Sequence, residues 1–74
     1  MLQLDDEERK ELRALMRRAG KPHVRVKAAA LWNLSQGKTR REVGEFLGVS
    51  TVSIGAWAKR FREEGVAGLA IHPG

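Results

Sequence analysis

Apolar residues recur three and four positions apart along most of this chain, and the spacing predicts four helices. The first runs from Asp5 to Ala19, with Leu12, Leu15, Met16 and Ala19 forming a narrow stripe. Its first turn is acidic, Arg17 and Arg18 close it, and Gly20 follows, the order that the helix dipole favours. Asp5 and Glu8 have the spacing of a cap. The second helix starts at Pro22 and ends at Gln36-Gly37. Val24, Ala28, Leu31 and Leu34 or Ser35 line one side, and Val26, Ala29, Ala30 and Trp32 widen it enough to cover two neighbours. Trp32 is expected to anchor a packing contact.

The third helix, Arg40 to Leu47, is announced by Thr39 with Glu42 three residues on, the sequence form of a capping box. Val43, Phe46 and Leu47 give it an apolar face, and Gly48 supplies the left-handed stop. Ser50 then caps a fourth helix, Thr51 to Glu64, whose inward stripe is Ile54, Trp57, Ala58 and Phe61. Only Gly48 and Val49 separate the third helix from that cap, so the two helices must cross steeply, and Gly44 falls where they approach most closely. This is a helix-turn-helix, an arrangement that leaves its second helix free to enter a major groove. After Gly65 the stretch from Val66 to Ile71 has no periodicity. It reads as a turn returning Val66 and Leu69 to the bundle, with His72-Pro73-Gly74 as a linker. The predicted organisation is a leading helix over 1–21, the DNA-binding unit over 22–65 and a C-terminal turn and linker over 66–74.

Charge sharpens this picture. In residues 1–20 five acids offset five bases, whereas residues 21–74 hold nine bases against four acids, so the whole excess of +5 lies with the helix-turn-helix. Such a field attracts a phosphate backbone. With Ile54, Trp57, Ala58 and Phe61 inward, the opposite face of the fourth helix presents Thr51, Val52, Gly55, Ala56, Lys59 and Arg62. Thr51 can hydrogen-bond a base edge or phosphate, and Val52 and Ala56 can meet thymine methyl groups. Lys38, Arg40, Arg41 and Lys59 are phosphate candidates, the first three flanking a helix N-terminus. Arg60, between the two faces, and Arg62, at the end of the groove face, can also reach a phosphate, and Thr39 and Ser50 complete the candidate DNA-binding set. Gly55 costs about 1 kcal/mol relative to alanine inside a helix. It either lets the backbone approach the bases or is an exposed position under no constraint.

Other chemistry is thin. With no cysteine there is no disulfide or thiolate metal site. His23 and His72 have no partner at ligand spacing and are expected in solvent, and the acids sit in caps or charge pairs. No catalytic residue, metal or cofactor is expected, and the chain reads as a binding module rather than an enzyme. No apolar run approaches the roughly 20 residues of a membrane span, so a cytoplasmic location without membrane contact is expected.

The string Gly37-Lys38-Thr39-Arg40-Arg41-Glu42-Val43-Gly44-Glu45-Phe46-Leu47-Gly48-Val49-Ser50, followed by Val52 to Phe61, resembles the N-terminal DNA-binding region of bacterial insertion-sequence transposases related to the mariner superfamily. Arg62-Glu63-Glu64-Gly65-Val66-Ala67-Gly68-Leu69 and the closing His72-Pro73-Gly74 resemble the segment that joins the family's first helix-turn-helix to its second. The resemblance covers residues 22–74. Gly44 stands where alanine is more usual, and Gly55-Ala56 where larger polar or aromatic residues often stand. It implies an all-α, homeodomain-like three-helix bundle, here with an extra N-terminal helix, and a double-stranded DNA partner at the terminal inverted repeats of a mobile element. A second helix-turn-helix and an acidic, metal-dependent catalytic domain would then lie downstream. Two other readings use the same fold: a free-standing transcriptional regulator, acting as a homodimer through the N-terminal helix, and a protein-interaction adaptor that has lost DNA.

Overall fold

The computed structural model describes residues 2–18 and 20–71, and within them the chain is helical throughout, with no strand. Five helices follow in order: α1 Asp6–Arg18, α2 Pro22–Ser35, α3 Arg40–Leu47, α4 Thr51–Glu64 and α5 Ala67–Ile71. The first four stand where hydrophobic spacing places them. The stretch from Val66 to Ile71, expected to be an aperiodic turn, instead contains α5. Its Leu69 is buried and Val66 packs against the core, so the expected return to the bundle is present in helical form. Ala19 and His72 to Gly74 lie outside the described residues.

The helix ends follow local chemistry. Asp5 and Glu8 satisfy each other's backbone N–H at the start of α1, with the Glu8 N–H donating to Asp5 Oδ1 at 2.7 Å and the Asp5 N–H to Glu8 Oε1 at 3.1 Å. Thr39 and Glu42 repeat the device at α3: the Glu42 N–H donates to Thr39 Oγ1 at 3.1 Å, and the Thr39 N–H to Glu42 Oε1 at 2.9 Å. The Thr39 N–H first and the Thr39 side chain second, helped by Lys38, hold the Glu42 carboxyl below its ordinary pKa. Ser50 Oγ accepts the Ser53 N–H at 3.1 Å to start α4.

Packing centres on α2. It carries α1 on one side and meets α3, α4 and α5 on the other, which is why its apolar surface is wider than a stripe. Leu12, Leu31, Val43, Ile54 and Leu69, one from each helix, are the largest fully buried side chains, and Phe61 is 3% exposed. Trp32 and Trp57 are half-buried and packed against this cluster, and the Arg13 guanidinium lies 5.7 Å from the centre of the Trp32 ring. Leu2 and Leu4, ahead of α1, also pack on the core. Lys27 is buried on the row between Val24 and Leu31. Desolvation first, and the nearby charge of Arg60 second, lower its pKa.

Three expectations need correction. Phe46 does not join Val43 on the inner face of α3: it is 78% exposed, because α3 meets its neighbours along Val43, Gly44 and Leu47, and Phe46 falls beyond that edge. His23 is not a solvent side chain but half-buried, with Nδ1 shielded and unpartnered. Residues 66–71 hold the short helix already described.

The corner between α3 and α4 is the tightest point of the fold. Gly48 takes φ +72°, and its N–H and that of Val49 donate to the Gly44 carbonyl at 2.8 and 3.0 Å. A Cβ on Gly44 would stand 2.7 Å from the Val49 carbonyl oxygen and 3.5 Å from Ile54 Cδ1. The first contact is with backbone and cannot be relieved by rotating a side chain. Gly44→Ala is therefore expected to destabilise the protein by about 1–3 kcal/mol through overpacking. Alanine regains roughly 1 kcal/mol of this by helix propensity, which leaves a net loss of up to about 2 kcal/mol. Thermal unfolding checks it, and an unchanged or higher midpoint would show that the corner can open.

Candidate nucleic-acid interface

Ile54, Ala58 and Phe61 fix the rotation of α4 by pointing into the core. Helical spacing then turns Val52, Ala56, Lys59 and Glu63 directly away, with Thr51, Gly55 and Arg62 on the flank nearest α3. Thr51, Val52, Ala56, Lys59, Arg62 and Glu63 are all exposed, and Val52 reaches 81%. An exposed valine in the first turn of a docked helix offers an apolar surface that no part of the described chain covers. Glu63, absent from the expected set, lies at the C-terminal end of this face, where its charge opposes close approach to phosphate. The open side is thus apolar at its N-terminal end and charged at the other.

The cationic candidates separate into groups. Lys38, Thr39, Arg40 and Arg62 border one cleft of about 250 Å³, closed by Leu2, Leu34 and Ala58. It lies between the N-terminus of α3 and the flank of α4, so two helices and the loop before α3 aim positive charge at one place. Lys59 stands on the adjoining open face. Arg41 is turned to the outer side of α3, where its Nε lies 3.4 Å from Glu45 Oε1. Arg60 sits on the opposite flank of α4, with Nη1 3.5 Å from Glu64 Oε2, and the Arg60 Cγ is close under Gly68 of α5. The Thr39 and Ser50 hydroxyls serve as caps. The structure therefore brings together Lys38, Arg40 and Arg62, holds Thr39 at the cleft as a cap, leaves Lys59 on the adjoining open face, and sets Arg41 and Arg60 apart.

Arg40 has a specific place. It shares the α3 row of Gly44 and Leu47, four and seven residues on, so its side chain runs beside α4 although the residue is exposed. A Cβ on Gly55 would stand 3.3 Å from Arg40 Nη1, 3.6 Å from Cζ and 3.9 Å from Nε. The glycine leaves room for a guanidinium from the neighbouring helix, a third account of Gly55 beyond the two considered from sequence. The row spacing of Arg40 with Gly44 was the signal available.

Among the described residues no group of three or more His, Cys, Asp or Glu is placed to hold a metal ion. None of their helices is long and apolar enough to cross a membrane. A family model described as a homeodomain-like domain matches residues 21–70, from the residue before α2 into α5. No curated protein and no solved structure matches the chain.

Proposed function

The chain belongs to the homeodomain-like helix-turn-helix family, and from that membership we propose that it binds double-stranded DNA by laying the open face of α4 in the major groove. The observation that carries this reading is the pairing of an uncovered α4 face with a cationic cleft along its flank. Thr51, Val52 and Ala56 meet base edges, while Lys38, Lys59 and Arg62 meet phosphates.

The particular setting we propose is the N-terminal DNA-binding part of an insertion-sequence transposase related to the mariner superfamily, acting at terminal inverted repeats. Its support is the resemblance of residues 37–50 and 62–74 to that family. Residues 1–74 are assigned no catalytic role in this reading; strand transfer would belong to another domain.

The test is selection of bound duplexes from a random pool, with affinities measured at 50 and 200 mM salt. We expect salt-sensitive binding and a consensus that recurs at both ends of a mobile element. Absence of binding to any duplex at the lower salt would remove DNA as the partner. A consensus found only upstream of genes would remove the transposase setting alone.

A further inference from the structure

We propose that Arg40, carried on α3, supplies the base-reading guanidinium that α4 lacks, and that Gly55 is the seat that holds it there; the inference rests on the DNA-binding reading above. In its first two turns the groove side of α4 offers a hydroxyl from Thr51, methyl groups from Val52 and Ala56, and no side chain from Gly55. None of these forms the paired hydrogen bonds that identify a guanine or an adenine edge. The planar side chains that do so are Arg, Asn and Gln, and the open face has none in its first two turns.

The Arg40 guanidinium occupies the missing position. Three of its atoms lie within 4 Å of where a Gly55 Cβ would be, so it lies in contact with the place where a side chain from position 55 would begin. That place is one turn after Thr51 and next to Ala56, at the end of the cleft that Arg40 shares with Arg62. Unlike Arg41 and Arg60, Arg40 has no hydrogen-bond or ion-pair partner among the described residues. Its five donors are uncommitted. A planar fork held beside a groove helix, with its donors free, matches the N7 and O6 acceptors of guanine. A larger residue at position 55 would take the space that the guanidinium uses.

Lysine at position 40 keeps the charge and loses the fork, so it separates base reading from phosphate contact. The experiment is duplex selection with the full chain, its Arg40→Lys form and its Gly55→Ala form, each first shown to be folded by thermal melting. The wild-type consensus should contain a guanine at a fixed position. With Arg40→Lys, discrimination at that base pair should fall roughly 5- to 150-fold, with the salt dependence and the other positions retained. Gly55→Ala should weaken the preference for the same guanine although its melting temperature rises, because alanine is the better helix former and the flexible guanidinium has only a few tenths of an ångström to give. If Arg40→Lys selects the wild-type consensus, Arg40 is a phosphate contact and the inference fails; a wild-type consensus without a fixed guanine overturns it equally. In both cases salt-sensitive binding persists. A wild-type chain that binds no duplex at 50 mM salt takes down the DNA reading as well, and is told apart by that loss.

Discussion

Phe61→Ala is expected to cost about 3–5 kcal/mol of folding stability, and the same truncation at Phe46 no more than about 0.5 kcal/mol. The two side chains are chemically identical and both sit at apolar helical spacing, but Phe61 is 3% exposed and Phe46 78%. Truncating Phe61 removes a ring packed among α2, α4 and their neighbours, and the surrounding backbone can only partly collapse into the space. At roughly 0.05–0.15 kcal/mol per residue, a 74-residue domain holds about 4–11 kcal/mol in total, so this single change removes about a quarter of it at least. Each 1 kcal/mol moves the midpoint by about 4–8 °C in a domain of this size, and Phe61→Ala should melt at least 12 °C below wild type. Circular dichroism melts of both variants check the contrast. A Phe61→Ala midpoint close to wild type, or a Phe46→Ala form that unfolds early, would mean that α4 docks by some other surface.

That contrast also marks how far sequence could be read. Features set by neighbours along the chain were legible: the Thr39–Glu42 box, the Gly48 stop, the Ser50 cap and the spacing of Ile54, Ala58 and Phe61 each follow from a local rule. The open side of α4 followed in turn, since fixing one face of a helix fixes the other. Features set by which surface finds a partner were not. On an eight-residue helix the spacing of Val43, Phe46 and Leu47 spans too wide an arc to tell which flank will be covered, and α3 is covered on the flank that excludes Phe46. The helical form of residues 67–71 depends on burying Leu69, and five residues are too few to show a period. Lys27 occupies an apolar row that its own type disguises, and Arg40, a basic residue at a helix start, has the sequence signature of a phosphate contact. Its place beside Gly55 depends on how α3 and α4 cross, which Gly44 permits and no rule of local spacing fixes.

Removing the three bases that line the interface without resting on Gly55 is expected to have the largest effect on binding. The variant Lys38→Ala, Lys59→Ala, Arg62→Ala lowers the net charge from +5 to +2, so a comparison is needed that changes charge equally elsewhere. Lys10→Ala, Arg17→Ala, Lys21→Ala does this on α1 and at the start of α2, the end of that helix remote from the cleft. If the cleft and the open face hold phosphates, the first variant should reduce the slope of log K against log salt by about 1 for each lost contact, close to 3 in all. Affinity at 100 mM salt should then drop on the order of 100-fold or more, nearly independent of sequence, because phosphate contacts position the protein without reading bases. The comparison variant should keep most of the slope, since charges more than about 10 Å from the bound phosphates are largely screened at that salt. Equal losses in the two variants would reduce the attraction to net charge and leave the cleft no part in it. None of the three interface residues is buried, so both variants should melt near wild type, and a change in binding can be assigned to the contacts rather than to the fold.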